Sequence, residues 1–274
     1  MKNFKKILAF VLAIGMVFAL AACGEKKDEN VEKRGILESE NMISFSSKHD
    51  AHKAEENQSS SKENIRYNNL SAALLDLEGG KIDLIITDSC SADYIAARNE
   101  KVTAEKRDRT NYFSMMTTDS NTEVYDILNN AIKDMKADGT LDKLIENDLK
   151  AYIESDPEPK DLPHFDGAKT IKIGVTGDIP PMDFVASNGK AAGFNIALLA
   201  EIANRAQVNF ELVQIETGAR PLALSSGKVD AVFWTRSVKC NVCDEMIYEK
   251  VDGTLITESY FSNNTASLKL KSDK

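Results

Sequence analysis

A short internal repeat limits the folds open to this chain more than any other sequence feature. Residues 75–86 read LDLEGGKIDLII, and they align with residues 222–233, which read LALSSGKVDAVF. In each copy, leucines at helical spacing end at a glycine that suits the end of a helix, and an apolar segment of strand length follows a Lys-x-Asp sequence. The repeat predicts two similar αβ units, with chance similarity as the alternative.

Helical and strand patterns alternate along much of the remaining chain. Such alternation is typical of an α/β fold with mainly parallel sheets. The predicted strands cover residues 42–45, 64–67, 82–87, 112–116, 170–175 and 209–214. The predicted helices cover residues 48–57, 69–78, 91–99, 123–138, 141–153, 195–206 and 220–225.

The N-terminus has the pattern of a secretory signal. Three lysines fall in the first six residues, an apolar run covers residues 7–19, and small residues precede Cys23. This ending resembles the lipobox of bacterial lipoproteins, which implies a signal peptide over residues 1–22 and lipidation of Cys23. An ordinary secretory signal is the alternative. The polar residues 23–35 are expected to be a tether that holds the body at the extracytoplasmic face of the membrane.

Composition and cysteine content exclude several classes of function. The formal net charge is −9, and removal of the lysine-rich signal makes the body more acidic, so nucleic-acid binding is not expected. Beyond Cys23 the sequence has Cys90, Cys240 and Cys243, an odd number that predicts no disulfide framework. Cys240 and Cys243 are interpreted as a local disulfide or two thiols rather than a zinc site.

No catalytic constellation is visible in the sequence. His49 and His52 fall in a polar helix, and His164 lies in a segment interrupted by prolines. We find no Ser-His-Asp arrangement, phosphate loop or metalloprotease helix. We therefore expect a protein without enzymatic activity, metal or cofactor.

The second half of the chain resembles a known family. Residues 173–184 read IGVTGDIPPMDF, Gly-Phe-Asn follows at 193–195, and Gly-Lys-Val-Asp-Ala follows at 227–231. This pattern resembles the first lobe of family 3 bacterial extracellular solute-binding proteins, the amino-acid receptors of ABC importers. The resemblance implies a type II periplasmic-binding-protein fold, in which two α/β lobes and a hinge enclose a ligand.

The first half is similar to the second lobe of the same family, so the lobes occur in reversed order. The similarity rests on residues 80–89 and on the helical residues 129–145. A circular permutation accounts for this order, and a tandem pair of half-domains is the alternative. The predicted regions are lobe two at 36–112, a hinge strand with closing helices at 113–153, a proline-rich linker at 154–168 and lobe one at 169–274.

Ligands of α/β sheets bind beyond the carboxyl ends of strands, which selects the candidate site residues. Asp88 ends a predicted strand, where the family position holds a ligand amino group; a helix N-cap is the alternative. Trp234 is expected to stack on the ligand or to pack in the core. Further polar candidates are Ser46, Ser47, Ser89, Asp183, Asn195, Thr235 and Ser237.

Two departures from the family pattern leave the ligand open. Val242 stands where the family arginine that binds a carboxylate usually falls, and Arg236 is the nearest substitute, unless it is solvated. Ile179 replaces a common aromatic residue, which leaves Phe184 as a possible stacking ring. We expect a monomeric, lipid-anchored protein that binds a small polar or amino-acid-like ligand and delivers it to an ABC permease. A surface sensor or protein-interaction module of the same fold is the alternative.

Overall fold

The computed structural model describes residues 31–37, 62–155, 157–239, 246–248 and 251–271. The signal peptide, Cys23, the strand predicted at 42–45 and the helix predicted at 48–57 lie outside these residues. The strands are β1 (Glu32–Leu37), β2 (Lys62–Tyr67), β3 (Leu84–Asp88), β4 (Val102–Thr118), β5 (Thr170–Val175), β6 (Asp178–Ile179), β7 (Asp183–Val185), β8 (Ala191–Ala192), β9 (Asn209–Gln214), β10 (Ala231–Lys239), β11 (Met246–Tyr248), β12 (Thr254–Ile256) and β13 (Phe261–Leu270).

The helices complete an α/β arrangement, which confirms the predicted α/β class, but the prediction of mainly parallel sheets is wrong, because most strand pairs of the described residues are antiparallel. They are α1 (Leu70–Glu78), α2 (Ser89–Arg98), α3 (Thr122–Ala137), α4 (Thr140–Leu144), α5 (Lys150–Glu154), α6 (Phe194–Ala206) and α7 (Arg220–Ser225). A π-helical turn at Ile145–Leu149 joins α4 to α5, so the helix predicted at 141–153 is present but is wider and underwound in its middle. The other predicted elements that the structure describes, apart from the strand at 112–116, begin and end within two residues of their predicted limits.

The main sheet has the strand order β2-β1-β3-β13-β4-β10-β5-β9, with β11 added to β10 and β12 added to β4. β1 runs parallel to β2 and β3, and β5 runs parallel to β9 and β10. The long strands β4 and β13 are antiparallel to each other and lie between these two parallel sets. A small separate sheet contains β6, β7 and β8.

Three hydrophobic clusters define two lobes: the largest cluster and a smaller one beside α7 belong to one lobe, and the remaining cluster belongs to the other. We call β1 to β3 with α1 and α2 lobe two, and β5 to β10 with α3 to α7 lobe one. The lobe-two core contains Leu77, Ile85, Ile95, Val102 and Leu268 among its buried residues. The lobe-one core contains Leu128, Ile132, Ile173, Phe194 and Leu198, so α3 packs with β5 and α6. β4 and β13 pass through both lobes and form the hinge strands.

The two copies of the repeat have the same backbone turn. Gly80 after α1 has φ 69°, and Gly227 after α7 has φ 70°, a conformation that favours glycine. In the first copy, the Lys81 amide donates to the Asp76 carbonyl at 2.9 Å. In the second, the Lys228 amide donates to the Ala223 carbonyl at 3.0 Å. The predicted pair of αβ units is therefore confirmed.

An aspartate in each copy fastens the repeat to the central strand of its lobe. The Asp83 amide donates to the Lys33 carbonyl and the Lys33 amide donates to Asp83 Oδ2, both at 2.8 Å. Asp230 makes the same reciprocal pair with Lys172 of β5, again at 2.8 Å in both directions. The Lys-x-Asp sequence thus has a structural role.

The tether predicted to extend to residue 35 ends earlier, because β1 begins at Glu32. The first three residues of β1 are charged, so the sequence has no apolar pattern there that would predict a strand. Their charges are matched locally: Arg34 Nε lies 2.6 Å from Glu32 Oε1, and Lys33 Nζ lies 3.8 Å from Glu63 Oε2. Pairing with β2 on one side and β3 on the other then orders the segment.

The hinge strand predicted at 112–116 is much longer than expected. β4 begins at Val102 and includes the charged run 105–109, which has no apolar alternation to mark a strand. No strand was predicted over the residues of β13. Each of the two strands supplies the hydrogen-bond partners that the other lacks, so long-range pairing orders both.

Apart from Glu154, the last residue of α5, the described residues of the proline-rich linker lie outside helices and strands. Its last part is nevertheless fixed to lobe one by the Asn209 side chain. Asn209 Oδ1 accepts a hydrogen bond from the Phe165 amide at 2.8 Å, and Asn209 Nδ2 donates to the Phe165 carbonyl at 3.0 Å.

Candidate functional site

A cavity of about 370 Å³ lies where strands of both lobes end. Its lobe-two wall contains Asn68 and Asn69, which directly follow β2. Its lobe-one wall contains residues that follow β5 and β9, namely Thr176, Asp178, Gln214, Ile215 and Glu216. The cavity is therefore an interlobe cleft at carboxyl ends of strands, the usual ligand position in α/β sheets. Its volume falls within the range of small-molecule sites.

The cleft wall of lobe one is polar and mostly preformed. Gln214 Nε2 donates to the Thr176 carbonyl at 3.1 Å, which ties the end of β9 to the loop after β5. Asp178 is an exposed residue, but the cleft partly desolvates its carboxyl. This desolvation raises the pKa of Asp178, and the nearby charge of Asp183 acts in the same direction against a hydrogen bond from Thr176.

Asp183 and Asn195, two predicted site residues, lie together and support this wall. Asp183 Oδ1 accepts hydrogen bonds from the Thr176 amide at 3.0 Å, Thr176 Oγ1 at 2.7 Å and the Gly177 amide at 2.6 Å. Asn195 Nδ2 donates to Asp183 Oδ2 at 3.1 Å. Asp183 is only 1% exposed, so its observed contacts hold the loop that carries Thr176 and Asp178.

Asp88 and Arg236, predicted on different lobes, form a buried ion pair. Arg236 Nη2 lies 2.7 Å from Asp88 Oδ2, and the side chains are 8% and 2% exposed. Asn111 of β4 donates to Asp88 Oδ1 at 3.1 Å. The capping alternative for Asp88 is not observed, since its side chain makes no cap hydrogen bond to α2. The solvated alternative for Arg236 is wrong, because packing of the hinge strands buries it.

Hydroxyl groups cluster beside this ion pair. Ser89 Oγ donates to Asn263 Oδ1 of β13. Thr235 and Ser237 of β10 are each 1% exposed, and their hydroxyls have no hydrogen-bond partner in the described structure. Ser114, paired with Thr235 in the β4–β10 register, has the same property. Three buried hydroxyls thus lie on one face of two neighbouring hinge-region strands.

Phe184 occupies a different place from the other candidates. Its ring lies 5.8 Å from that of Tyr94 and 5.4 Å from that of Tyr152, between α2 of lobe two and α5 of lobe one. These rings line a second cavity of about 330 Å³, together with Arg98 and residues 157–159 of the linker. Ser46, Ser47 and Val242 lie outside the described residues, as does the side chain of Trp234.

Sequence reasoning did not select the residues that line the cleft in the described structure. Asn68, Asn69, Gln214 and Glu216 each stand within two residues of the end of a predicted strand. Their position at strand ends was the sequence signal that could have identified them as cleft residues. Using that signal requires knowing which strand ends face each other in the folded protein. Asn111 was missed because its strand was predicted to begin one residue later.

Cysteine and metal chemistry receive no support from the described residues. Cys90 is buried as a free thiol, and burial raises its pKa well above the usual range, so the nucleophilic thiolate is disfavoured. Cys240 and Cys243 lie outside the described residues. No group of three or more His, Cys, Asp or Glu side chains suited to a metal occurs in the part that the structure describes. That part also lacks a helix with the length and apolarity to cross a membrane.

Comparison with known sequences confirms the family resemblance for one segment. Residues 171–241 match the profile of bacterial extracellular solute-binding proteins, family 3. This segment runs from β5 through α6 and β9 to the end of β10, and it includes the lobe-one wall of the cleft. No curated protein matches the chain at a significant level.

Three solved structures are distant matches to this chain. One is the ligand-binding component of an ABC-type import system from Staphylococcus aureus with zinc bound, with 11% identity and a TM-score of 0.43. The match covers 88% of this chain and 66% of that one, so this chain spans just under two thirds of its length. The GluR0 ligand-binding core with L-glutamate has 14% identity and a TM-score of 0.42, over 89% and 86% of the chains. The effector-binding domain of a BenM variant has 8% identity and a TM-score of 0.42, over 90% and 88%.

Proposed function

We propose that this protein is an extracytoplasmic solute-binding protein, anchored by a lipid on Cys23, that takes a small polar ligand into the interlobe cleft for an ABC permease. The observation that carries the proposal is the cleft itself, whose polar walls come from strand ends of both lobes. The match of residues 171–241 to a solute-binding family supports the same function.

The mechanism follows from the two-sided lining of the cleft. A solute that contacts Asn68 on lobe two and Gln214 on lobe one makes both contacts only when the lobes are close. Its binding therefore favours the closed arrangement by the difference in affinity between the two states. β4 and β13, the two strands that pass through both lobes, are the elements about which the lobes would rotate.

A thermal-shift screen with a matched pair of variants tests this function. Amino acids, peptides, polyamines, organic acids and sugars are added to the purified protein, because a ligand of the native state raises the melting temperature. We expect one solute class to raise it, the rise to be lost in Asn68→Ala, and the rise to persist in Asn204→Ala. Asn204 is an exposed asparagine of α6 outside the cleft lining.

The screen also separates solute binding from the protein-interaction alternative. If no solute shifts a cooperatively melting protein, the cleft does not bind a small molecule and the protein-interaction alternative is favoured. The lipid anchor has a separate test, in which Cys23→Ser is expected to move the protein from the membrane fraction to the medium. Retention of the variant on the membrane would contradict the anchor.

We further propose that the order of the lobes is a circular permutation. Only β3 separates β13 from β1 in the sheet, and Leu268 of β13 pairs with Ile85 while Arg34 of β1 pairs with Leu84. The end of β13 and the start of β1 are therefore about 10 Å apart, two strand spacings. A short connection would span this distance.

A rearranged chain tests the permutation. Residues 169–271 are placed ahead of residues 31–155 and joined to them by a short glycine-serine linker. We expect cooperative unfolding and the same solute selectivity as the original chain. An aggregated or non-cooperative product would instead support the tandem half-domain alternative.

A further inference from the structure

The charge of the cleft lining is negative. Asp178 and Glu216 are the charged residues among the described lining residues, and none of those residues is basic. Neither carboxylate forms an ion pair with a lysine or arginine of the described structure. Asp183 lies behind Asp178, and its charge acts on the Asp178 carboxyl. A solute in the cleft therefore meets acidic groups without matching cations.

The two buried arginines of lobe one donate to groups of the protein itself. Arg236 Nη2 lies 2.7 Å from Asp88 Oδ2, and the guanidinium lies 5.4 Å from the centre of the Phe113 ring. Arg220, 8% exposed, donates from Nη1 to the Phe233 carbonyl at 3.0 Å. An anionic solute could bind either arginine only by displacing a hydrogen bond within the protein. In the case of Arg236, the displacement would leave the buried Asp88 carboxylate without its counter-charge.

The neutral side chains of the cleft add acceptors on the same wall. Gln214 uses Nε2 to bind the Thr176 carbonyl, which leaves its Oε1 as an acceptor. Carboxylates and an amide oxygen are the partners that ammonium and guanidinium groups need. The opposite wall supplies the amide side chains of Asn68 and Asn69, and Asn69 Oδ1 already accepts a hydrogen bond from the Ala72 amide at 2.9 Å.

From this arrangement we infer that the cleft takes a cationic solute, a small organic amine or guanidine whose charged group lies against Asp178 and Glu216. The inference rests on the proposed function and specifies its substrate class. The recognised group is the cation, and a carboxylate of the solute is not required, because no described lining residue would bind it by charge.

Calorimetry with matched probes tests this selectivity. Putrescine and agmatine serve as cationic probes, succinate and glutarate as anionic probes of similar length, and glutamine as a zwitterion. The purified protein is compared with Asp178→Asn and Glu216→Gln, which remove one charge each and nearly keep the shape. Glu100→Gln, at an exposed site in the turn before β4, is the matched control.

The expected result is binding of at least one cationic probe and none of the anionic probes. Each cleft substitution should weaken the cation by about tenfold or more, as a charge-assisted hydrogen bond does, while Glu100→Gln leaves the affinity unchanged. Circular dichroism and melting curves verify that the variants fold.

Other results overturn the inference in distinguishable ways. Tighter binding of an anion or of glutamine, or cation binding that neither cleft substitution weakens, contradicts the cationic selectivity and leaves a solute-binding function standing. An absence of binding by every probe and every solute in the thermal-shift screen contradicts both.

Discussion

Asp88 of lobe two and Arg236 of lobe one are joined by a 2.7 Å ion pair, although 148 positions separate them in the chain. Asn111 provides a third polar partner from β4. Both charges are buried, so each depends on the other for compensation. The pair therefore couples the end of β3 to β10 across the hinge strands.

Removal of one partner should be strongly destabilising. Asp88→Asn leaves the buried Arg236 without its counter-charge, and we expect it to lower the free energy of unfolding by about 3–5 kcal/mol in urea denaturation. The exposed pair of Glu146 and Lys150 on one helical face gives the control, since Glu146→Gln should cost below about 1 kcal/mol. Equal losses in the two variants would show that burial does not determine the contribution of Asp88.

The two repeat aspartates should contribute equally. Asp83→Ala and Asp230→Ala each remove an acceptor for a backbone amide of the neighbouring strand, so each should cost about 1 kcal/mol. Because they lie in different lobes, the losses should add in the double variant. Hydrogen exchange should accelerate at the Lys33 amide in Asp83→Ala and at the Lys172 amide in Asp230→Ala. Neither amide should exchange faster in the control variant Asp108→Ala. Unchanged exchange at both amides would contradict a stabilising role for these two aspartate hydrogen bonds.

Gly193 should not tolerate a side chain. A Cβ there would lie 2.4 Å from the Met182 carbonyl oxygen, and the backbone has φ 109°. We expect Gly193→Ala to lose about 3 kcal/mol or more in urea denaturation, because a clash adds to backbone strain. Gly189→Ala is the control, with φ 82° and no atom within 4 Å, and it should cost only about 1–2 kcal/mol. Similar losses of unfolding free energy in the two variants would mean that backbone strain, and not the clash with Met182, destabilises Gly193→Ala.

Asp138 should stabilise the fold at every pH above its unfolded pKa of 3.8 and lose this contribution over a narrow acidic range below it. Hydrogen bonds from Thr140, followed by the Arg205 guanidinium, lower the pKa of Asp138 from 3.8 to about 2. A lowered pKa gives stability that is complete above the unfolded value and is lost as the pH falls towards about 2. Melting temperatures should show a smaller acid loss for Asp138→Asn than for the original chain. The control Asp134→Asn, on the exposed side of α3, should show the same acid loss as the original chain. If Asp138→Asn also shows the same loss, the hydrogen bonds of Asp138 with Thr140 and Arg205 do not stabilise the fold.

Local elements were predictable to the extent that their signals were local. The repeat could be read because a leucine pattern, a glycine of positive φ and a short apolar strand lie within twelve residues. β1 and the first half of β4 were not recognised, because charged residues dominate them and only pairing with distant strands makes them ordered. Tertiary hydrogen bonds outweighed weak strand propensity there.

The site was partly predictable for the same reason. Asp88, Asp183, Asn195 and Arg236 were predicted as ligand-binding residues, and the structure shows them buried against polar partners within the protein, which were not predicted. Asp183 and Asn195 bind each other, and the cleft walls contain Asn68, Gln214 and Glu216 instead. A single sequence cannot indicate which strand ends face one another, since that depends on the order of strands in the sheet.

The sequence by itself determined the α/β class, the two repeat units and the family pattern of residues 171–241, because these depend on short-range periodicity and motif spacing. The tertiary structure decided the rest. The strand order β3-β13-β4-β10 brings Asp88 to Arg236, and the meeting of β2 with β5 and β9 ends creates an acidic cleft. Contacts between residues far apart in the chain exist only once the hinge strands have paired, and those contacts fix the charge that a ligand meets.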